Sequence, residues 1–252
     1  MKRLFLISFM MIGFLACNNT SEKSSAEEQP EDAMEESAEV AAPANDAEWI
    51  MLFDGEDVSG WRSFNGESLP DGWIVDNGTL KSLGQGGDIG GDIVYAEREF
   101  DNFELALEWK ISEGGNSGVF YHVQEGEQYD APYYNAPEYQ IIDDIGFPDP
   151  LEDWQSLGAD YAMYVADPEK KIVKAAGEWN TSRIVFTEDN AEYWLNGELV
   201  LSFDPWSADW QNRKETGKWK DFPEYGSYKS GLIGLQDHGS EIWFKNVKVR
   251  EL

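Results

Sequence analysis

Glu138 and Gln140 are the residues whose type and spacing most readily do chemistry. They stand in Pro137-Glu138-Tyr139-Gln140-Ile141-Ile142-Asp143, a run that reads as a strand. A carboxyl can give or take a proton, and a carboxamide beside it can donate and accept hydrogen bonds without titrating. Strand side chains alternate, so Glu138, Gln140 and Ile142 share one face and Tyr139, Ile141 and Asp143 the other. Such groups in the middle of a sheet cost desolvation unless they meet water, a hydrogen-bond network or a ligand. Asp143, a further carboxyl, has the wrong parity and can join Glu138 only if the strand bulges or ends there. A second strand, over Val119-Phe120-Tyr121-His122-Val123, follows Gly114-Gly115-Asn116-Ser117-Gly118. A Tyr/Pro-rich loop joins the two.

The elements that must position these residues are strands. Phe103, Leu105, Leu107, Trp109 and Ile111 alternate with Glu104, Ala106, Glu108 and Lys110, the signature of a half-buried strand. Asn77-Gly78 and Asn196-Gly197 each separate apolar runs, and Asn-Gly suits the positive-φ positions of a two-residue hairpin. Trp73–Val75 is therefore expected to pair with Thr79–Lys81, and Ala191–Leu195 with Glu198–Ser202. Gly231–Gln236 and Ile242–Val249 close the chain as strands. About a dozen strands with no helix of three turns predict an all-β sandwich. A short helix through Ser207–Lys214 would place Trp206 and Trp210 on one side. The loops 124–136, 144–162 and 204–229 are long and aromatic, which marks them as functional rather than filler.

The N-terminus has a different character. Met1-Lys2-Arg3, an apolar run from Leu4 to Leu15 and Ala16-Cys17 describe a signal segment, residues 1–16, too short to span a bilayer. Cys17, the single cysteine, follows Phe14-Leu15-Ala16 and resembles the lipidated cysteine of bacterial lipoproteins, implying a lipid anchor in the cell envelope. Residues 17–48 hold ten acids against Lys23 and no aromatic residue, so a solvated tether is expected. Residues 49–252 make one domain. The formal charge is −30, of which −23 falls on that domain. Such a surface repels nucleic acid and polyanions and leaves neutral ligands as natural partners. Eleven Trp, 11 Tyr and 13 Phe supply flat rings that suit sugars or core packing, and most tryptophans are expected in the core. The glycine-rich run Gly84–Gly91 lacks the lysine and helix of a phosphate loop. No calcium-loop spacing occurs and the two histidines are far apart, so neither cofactor nor metal is expected.

Several motifs then agree in order. They are Leu52-Phe53-Asp54-Gly55 with Gly60-Trp61, Phe103-Glu104-Leu105, Gly115-Asn116-Ser117-Gly118, and Pro137-Glu138-Tyr139-Gln140-Ile141 with Asp143. Gly177-Glu178-Trp179-Asn180, Asn196-Gly197, Gly231-Leu232-Ile233-Gly234-Leu235-Gln236-Asp237-His238-Gly239 and Phe244-Lys245-Asn246-Val247 complete the set. Together, over residues 49–252, they resemble the 3-keto-disaccharide hydrolase family. The resemblance implies a concanavalin A-like jelly roll of two antiparallel sheets. It also implies cleavage of glycosides already oxidised at carbon 3, by proton abstraction, elimination and hydration. Carried onto this chain, it implies Glu138 and His238 as the acid/base pair, with Asp143 orienting a partner or acting as a second carboxylate. Asn116, Gln140, Gln236, His122 and Trp179 would contact substrate. The family usually has arginine where this chain has His122, and histidine is charged only when protonated. A retaining glycosidase using Glu138 and Asp143 about 5–5.5 Å apart, or a sugar-binding module without chemistry, are the competing readings.

Overall fold

The computed structural model describes residues 47–86 and 91–252; Cys17, the signal segment and the tether to residue 46 lie outside the described residues. Thirteen strands, one α-helix and three short 3-10 turns are present among them. The strands are β1 (Ile50–Phe53), β2 (Trp61–Ser63), β3 (Trp73–Asp76), β4 (Thr79–Leu83), β5 (Ile93–Phe100), β6 (Phe103–Ile111) and β7 (Asn116–Val123). They continue with β8 (Glu138–Ile142), β9 (Asn180–Phe186), β10 (Ala191–Leu195), β11 (Glu198–Phe203), β12 (Gly231–Leu235) and β13 (Glu241–Glu251). All pairings between these strands are antiparallel.

They form two sheets, as the jelly-roll expectation requires. The larger runs β11-β10-β9-β6-β13-β4-β3, with β1 also on β13, and the smaller runs β2-β5-β12-β7-β8. Their inner faces share one core that includes Leu105, Leu107, Trp109, Ile184, Tyr193 and Phe244 from the larger sheet and Ile93, Val119, Tyr121, Tyr139, Ile233 and Leu235 from the smaller. Both Asn-Gly pairs make the expected hairpins. Asn77 and Gly78 have φ of 49° and 77°, and Asn196 and Gly197 have 51° and 91°. Asp76 faces Thr79 across one turn and Leu195 faces Glu198 across the other.

The one α-helix among the described residues, α1 (Ala208–Thr216), is capped by Ser207, whose side chain accepts the Trp210 N–H. Trp206 precedes the helix at φ 56°, so the two tryptophans do not share a helical face. Trp210 is buried and stacks on Tyr225, whereas Trp206 donates its indole N–H to Gly226 O.

The tryptophan expectation fails for a physical reason. Trp61, Trp73, Trp109, Trp210 and Trp219 are buried, but the other six are half-buried. Trp49, Trp179, Trp194 and Trp243 lie on the outer face of the larger sheet under lysine and arginine side chains. A ring covered by a cation needs no core to be favourable.

Candidate active site

The outer face of the smaller sheet carries the polar residues singled out by alternation. On β8, Tyr139 and Ile141 point into the core, so Glu138 and Gln140 point out. Asn116 on β7, and Gln236 and His238 just after β12, reach the same place. These five line one cleft of about 240 Å³ together with Tyr133, Tyr161, Lys218 and Trp219. The three aromatic walls come one from each long loop. Lys218 Nζ donates to Tyr161 Oη at 2.9 Å and lies 4.1 Å from that ring. Trp219 donates to Tyr161 O and stacks on the fully buried Tyr225 at 4.1 Å.

Glycine makes room for the carboxyl. Phe120 faces Glu138 and Gly118 faces Gln140 across the β7–β8 ladder. A Cβ on Gly118 would overlap Glu138 Oε1, so the Glu138 side chain lies over the backbone of β7. Any side chain at position 118 would displace it. β8 is not left as a bare edge. Gly158 N donates to Gln140 O, Gln140 N to Ala159 O and Tyr161 N to Glu138 O, which fixes both side chains from the backbone outward. Gln140 Nε2 donates to Gln155 O at 3.0 Å. The buried amide oxygens of Asn116 and Gln236 have no hydrogen-bond partner among the described residues. They are acceptors, and a ligand rich in hydroxyls would satisfy them.

Electrostatics separate Glu138 from an ordinary surface acid. It is 4% exposed, and burial followed by the charge of Asp92 pushes its carboxyl up to about 8, with Lys218 pulling the other way. Asp92, immediately before β5, is itself pushed up to about 7 by burial. Its Oδ1 accepts the Asp237 N–H at 2.9 Å. Asp160 is fully buried, and burial holds its carboxyl well above the usual range. Asp92, Asp160, Lys218 and the tyrosines Tyr133 and Tyr161 escaped the sequence reading. Asp92 and Asp160 sit in unremarkable local sequence, and tertiary burial alone sets them apart; the aromatic loops were the one visible signal for the others.

Three expected site residues lie elsewhere. Asp143 follows the last residue of β8, but its Oδ2 accepts Gly114 N at 2.9 Å and its Oδ1 accepts Ile145 N at 3.2 Å. It ties down the turn before β7 and does not line the cleft, so no Glu138–Asp143 pair exists for a retaining mechanism. His122 has φ 57° at a bulge where Leu232 and Gly234 on β12 face Val123 and Phe120. The bulge turns its ring into the core against Phe103, Tyr121 and Phe186, with Nε2 2.9 Å from Asp101 O. It is 1% exposed, and burial pushes its imidazole down to about 4. Trp179 is on the outer face of the larger sheet beneath Lys110 and Lys245. Among the described residues no cluster of three or more His, Cys, Asp or Glu side chains is arranged to hold a metal ion.

Fold and cleft define a class first: a jelly-roll protein with a polar, aromatic-walled pocket on its smaller sheet. A Bacillus subtilis protein with a galectin-like fold shares that architecture at TM-score 0.50 and 15% identity, over 81% of this chain and 94% of that one. The chain belongs to the 3-keto-alpha-glucoside-1,2-lyase-like family, whose model matches residues 48–250. It is similar to a 3-keto-disaccharide hydrolase of Bacteroides thetaiotaomicron, 34% identical over 235 residues, covering 81% of this chain and 78% of that one. A candidate glycosyl hydrolase from Parabacteroides distasonis superposes at TM-score 0.75 with 44% identity, over 81% of this chain and 94% of that one. The protein is accordingly a hydrolytic, glycosyl-hydrolase-like enzyme.

Proposed function

We propose that the cleft cleaves 3-keto-glycosides by elimination and rehydration, with Glu138 as the proton donor and His238 as the base. The observation that carries this reading is Glu138. A buried carboxyl raised to about 8 holds its proton at neutral pH and can deliver it to a leaving oxygen. A ketone at carbon 3 acidifies the proton on carbon 2. His238 takes that proton, and the electron pair forms the C2–C3 double bond of an enolate. As the enolate collapses to the ketone, a C1–C2 double bond forms and the C1–O bond breaks. Glu138 protonates the departing oxygen, which gives the free alcohol. Water then adds at C1 and the proton returns to C2, which yields the 3-keto sugar.

Negative charge develops on the carbon-3 oxygen, and Lys218 supplies a cation at the cleft where His122 does not. Asn116 and Gln236 accept sugar hydroxyls, and the cleft volume matches a single pyranose ring more nearly than an extended chain. Tyr133, Tyr161 and Trp219 provide apolar walls. We further propose that Cys17 carries a lipid and that the enzyme works in the cell envelope, which places it where soluble glycosides arrive from outside.

Purified protein with a 3-keto-glucoside in D₂O is the direct test. The expected products are free alcohol and 3-keto-glucose carrying deuterium at carbon 2. Unlabelled product would rule out elimination, and equal turnover of the unoxidised glucoside would remove the need for the ketone.

A further inference from the structure

Asp92 lies outside the cleft wall yet is hydrogen-bonded to the turn that carries two of its residues. In Asp92-Ile93-Val94, Ile93 points into the core, so Asp92 and Val94 share the outer face with Glu138. Ile93 faces Leu235 and Leu235 faces Val119, so the positions before and after them run Asp92, Gln236, Gly118 across three strands. Glu138 lies over the bare Gly118 and so extends along that row toward Gln236.

The backbone contacts are equally specific. Asp92 Oδ1 accepts the N–H of Asp237, the residue between Gln236 and His238. Asp237 in turn accepts Gly86 N on Oδ2 and Gly239 N on Oδ1, at 2.9 and 3.0 Å. Gln236 N donates to Gly118 O at 3.0 Å. One carboxyl thus anchors the turn that carries two cleft residues.

We propose that Asp92 is a positioning residue with two tasks: it fixes the Gln236–His238 turn, and its charge adds to burial in holding Glu138 in the proton-donating form. This rests on the reading of Glu138 as the acid. The groups facing Glu138 are Asp92, Lys218, Asp160 and, across the cleft, Tyr133, Tyr161 and His238. Lys218 opposes the proton, Asp92 and Asp160 favour it, and Asp160 approaches from the core side through the strand-like segment beside β8. Asp92 is the stronger of the two acids acting on Glu138. Two buried carboxyls that feel one another titrate as a pair, and the first to ionise holds the second protonated.

The test compares wild type, Asp92→Asn and Asp92→Ala on a 3-keto-glucoside from pH 5 to 10. Asparagine keeps an acceptor for the Asp237 N–H and removes the charge. The alkaline limb of kcat/KM is expected to move down by about one pH unit, with activity reduced about fivefold at pH 8 and close to tenfold at pH 9 and above. KM is expected to stay near wild type, and the melting temperature is expected not to fall. Alanine removes the anchor as well, so KM is expected to rise. An unchanged limb in Asp92→Asn, or a loss uniform across pH, would overturn the charge role. If wild type turns over no 3-keto substrate, the functional reading fails separately. Carboxyl ¹³C titration of Glu138 in wild type and Asp92→Asn then still decides the coupling, with a downward shift expected.

Discussion

Two glutamates, equally buried on opposite outer faces, differ in everything else. Glu104 on the larger sheet is 5% exposed and Glu138 on the smaller is 4% exposed. Glu104 receives Arg183 Nη1 on one oxygen at 3.1 Å and Arg250 Nε on the other at 2.7 Å, so both carboxylate oxygens face a cation. Glu138 feels the charge of Asp92, and the cation that acts on it is the exposed Lys218. The first arrangement spends its charge on holding strands β6, β9 and β13 together. The second leaves a carboxyl that burial forces to keep its proton. Burial by itself therefore does not mark a reactive group; the sign of the neighbours does.

The sharpest way to break this contrast is to convert both residues to glutamine. Glu138→Gln is expected to lower kcat about 10²–10⁴-fold, the usual share of one proton-transfer group, while Glu104→Gln leaves kcat within a few-fold. Stability should move the other way. Glu104→Gln strands two guanidinium groups that remain partly exposed, which costs about 1–3 kcal/mol in denaturant unfolding. Glu138→Gln removes an acid that is costly to ionise in the folded state. An upward-shifted carboxyl loses stability as pH rises from its unfolded value near 4.5 toward 8. The Glu138→Gln protein should consequently melt higher than wild type at pH 8, with the gain vanishing near pH 4.

Lys218 comes next in expected size. Lys218→Met should reduce kcat about ten- to hundredfold through loss of enolate stabilisation. With less positive charge near Glu138, its alkaline limb should shift upward, which a pH–rate profile would read. A fall in binding alone, with kcat intact, would relegate Lys218 to the rim.

His122 provides a smaller test from the core side. Asparagine tolerates the positive φ at this bulge, so His122→Asn should fold and turn over substrate at near wild-type kcat/KM. The histidine is held neutral by burial, so its contribution is present above its unfolded value near 6.5 and lost as pH falls toward 4. Thermal melts of wild type and variant should thus converge as pH drops through that window. The smallest effect is expected at Trp179, where alanine should leave KM unchanged, because the ring sits under Lys110 and Lys245 on the far face.

Much of the fold was readable from local rules. Alternation of apolar and polar residues in 103–111 gives β6 over those same residues, and the two Asn-Gly pairs demand turns that only positive-φ residues satisfy easily. The parity of Glu138 and Gln140 against Tyr139 and Ile141 needs nothing beyond the pleat. Where local rules broke, the backbone departed from regular strand. The bulge at His122 flips a side chain that alternation would send outward, and the strand end at Ile142 gives Asp143 to the loop backbone. Trp206 and Trp210 would share a face only if both were helical, and the helix begins after Trp206.

The sequence by itself determined the strand count to within one or two, the hairpins, the family, and the face on which Glu138 and Gln140 lie, because each depends on neighbours a few residues away or on the order of motifs. The tertiary structure alone decided which polar residues become a site. It brought Tyr133, Tyr161, Lys218 and Trp219 from three separate loops against β8, and it set Asp92 and Glu138 on one buried face. It also gave Glu104 two arginines from other strands. Protonation follows from that placement, since desolvation and neighbouring charge act through space and leave no trace in spacing along the chain.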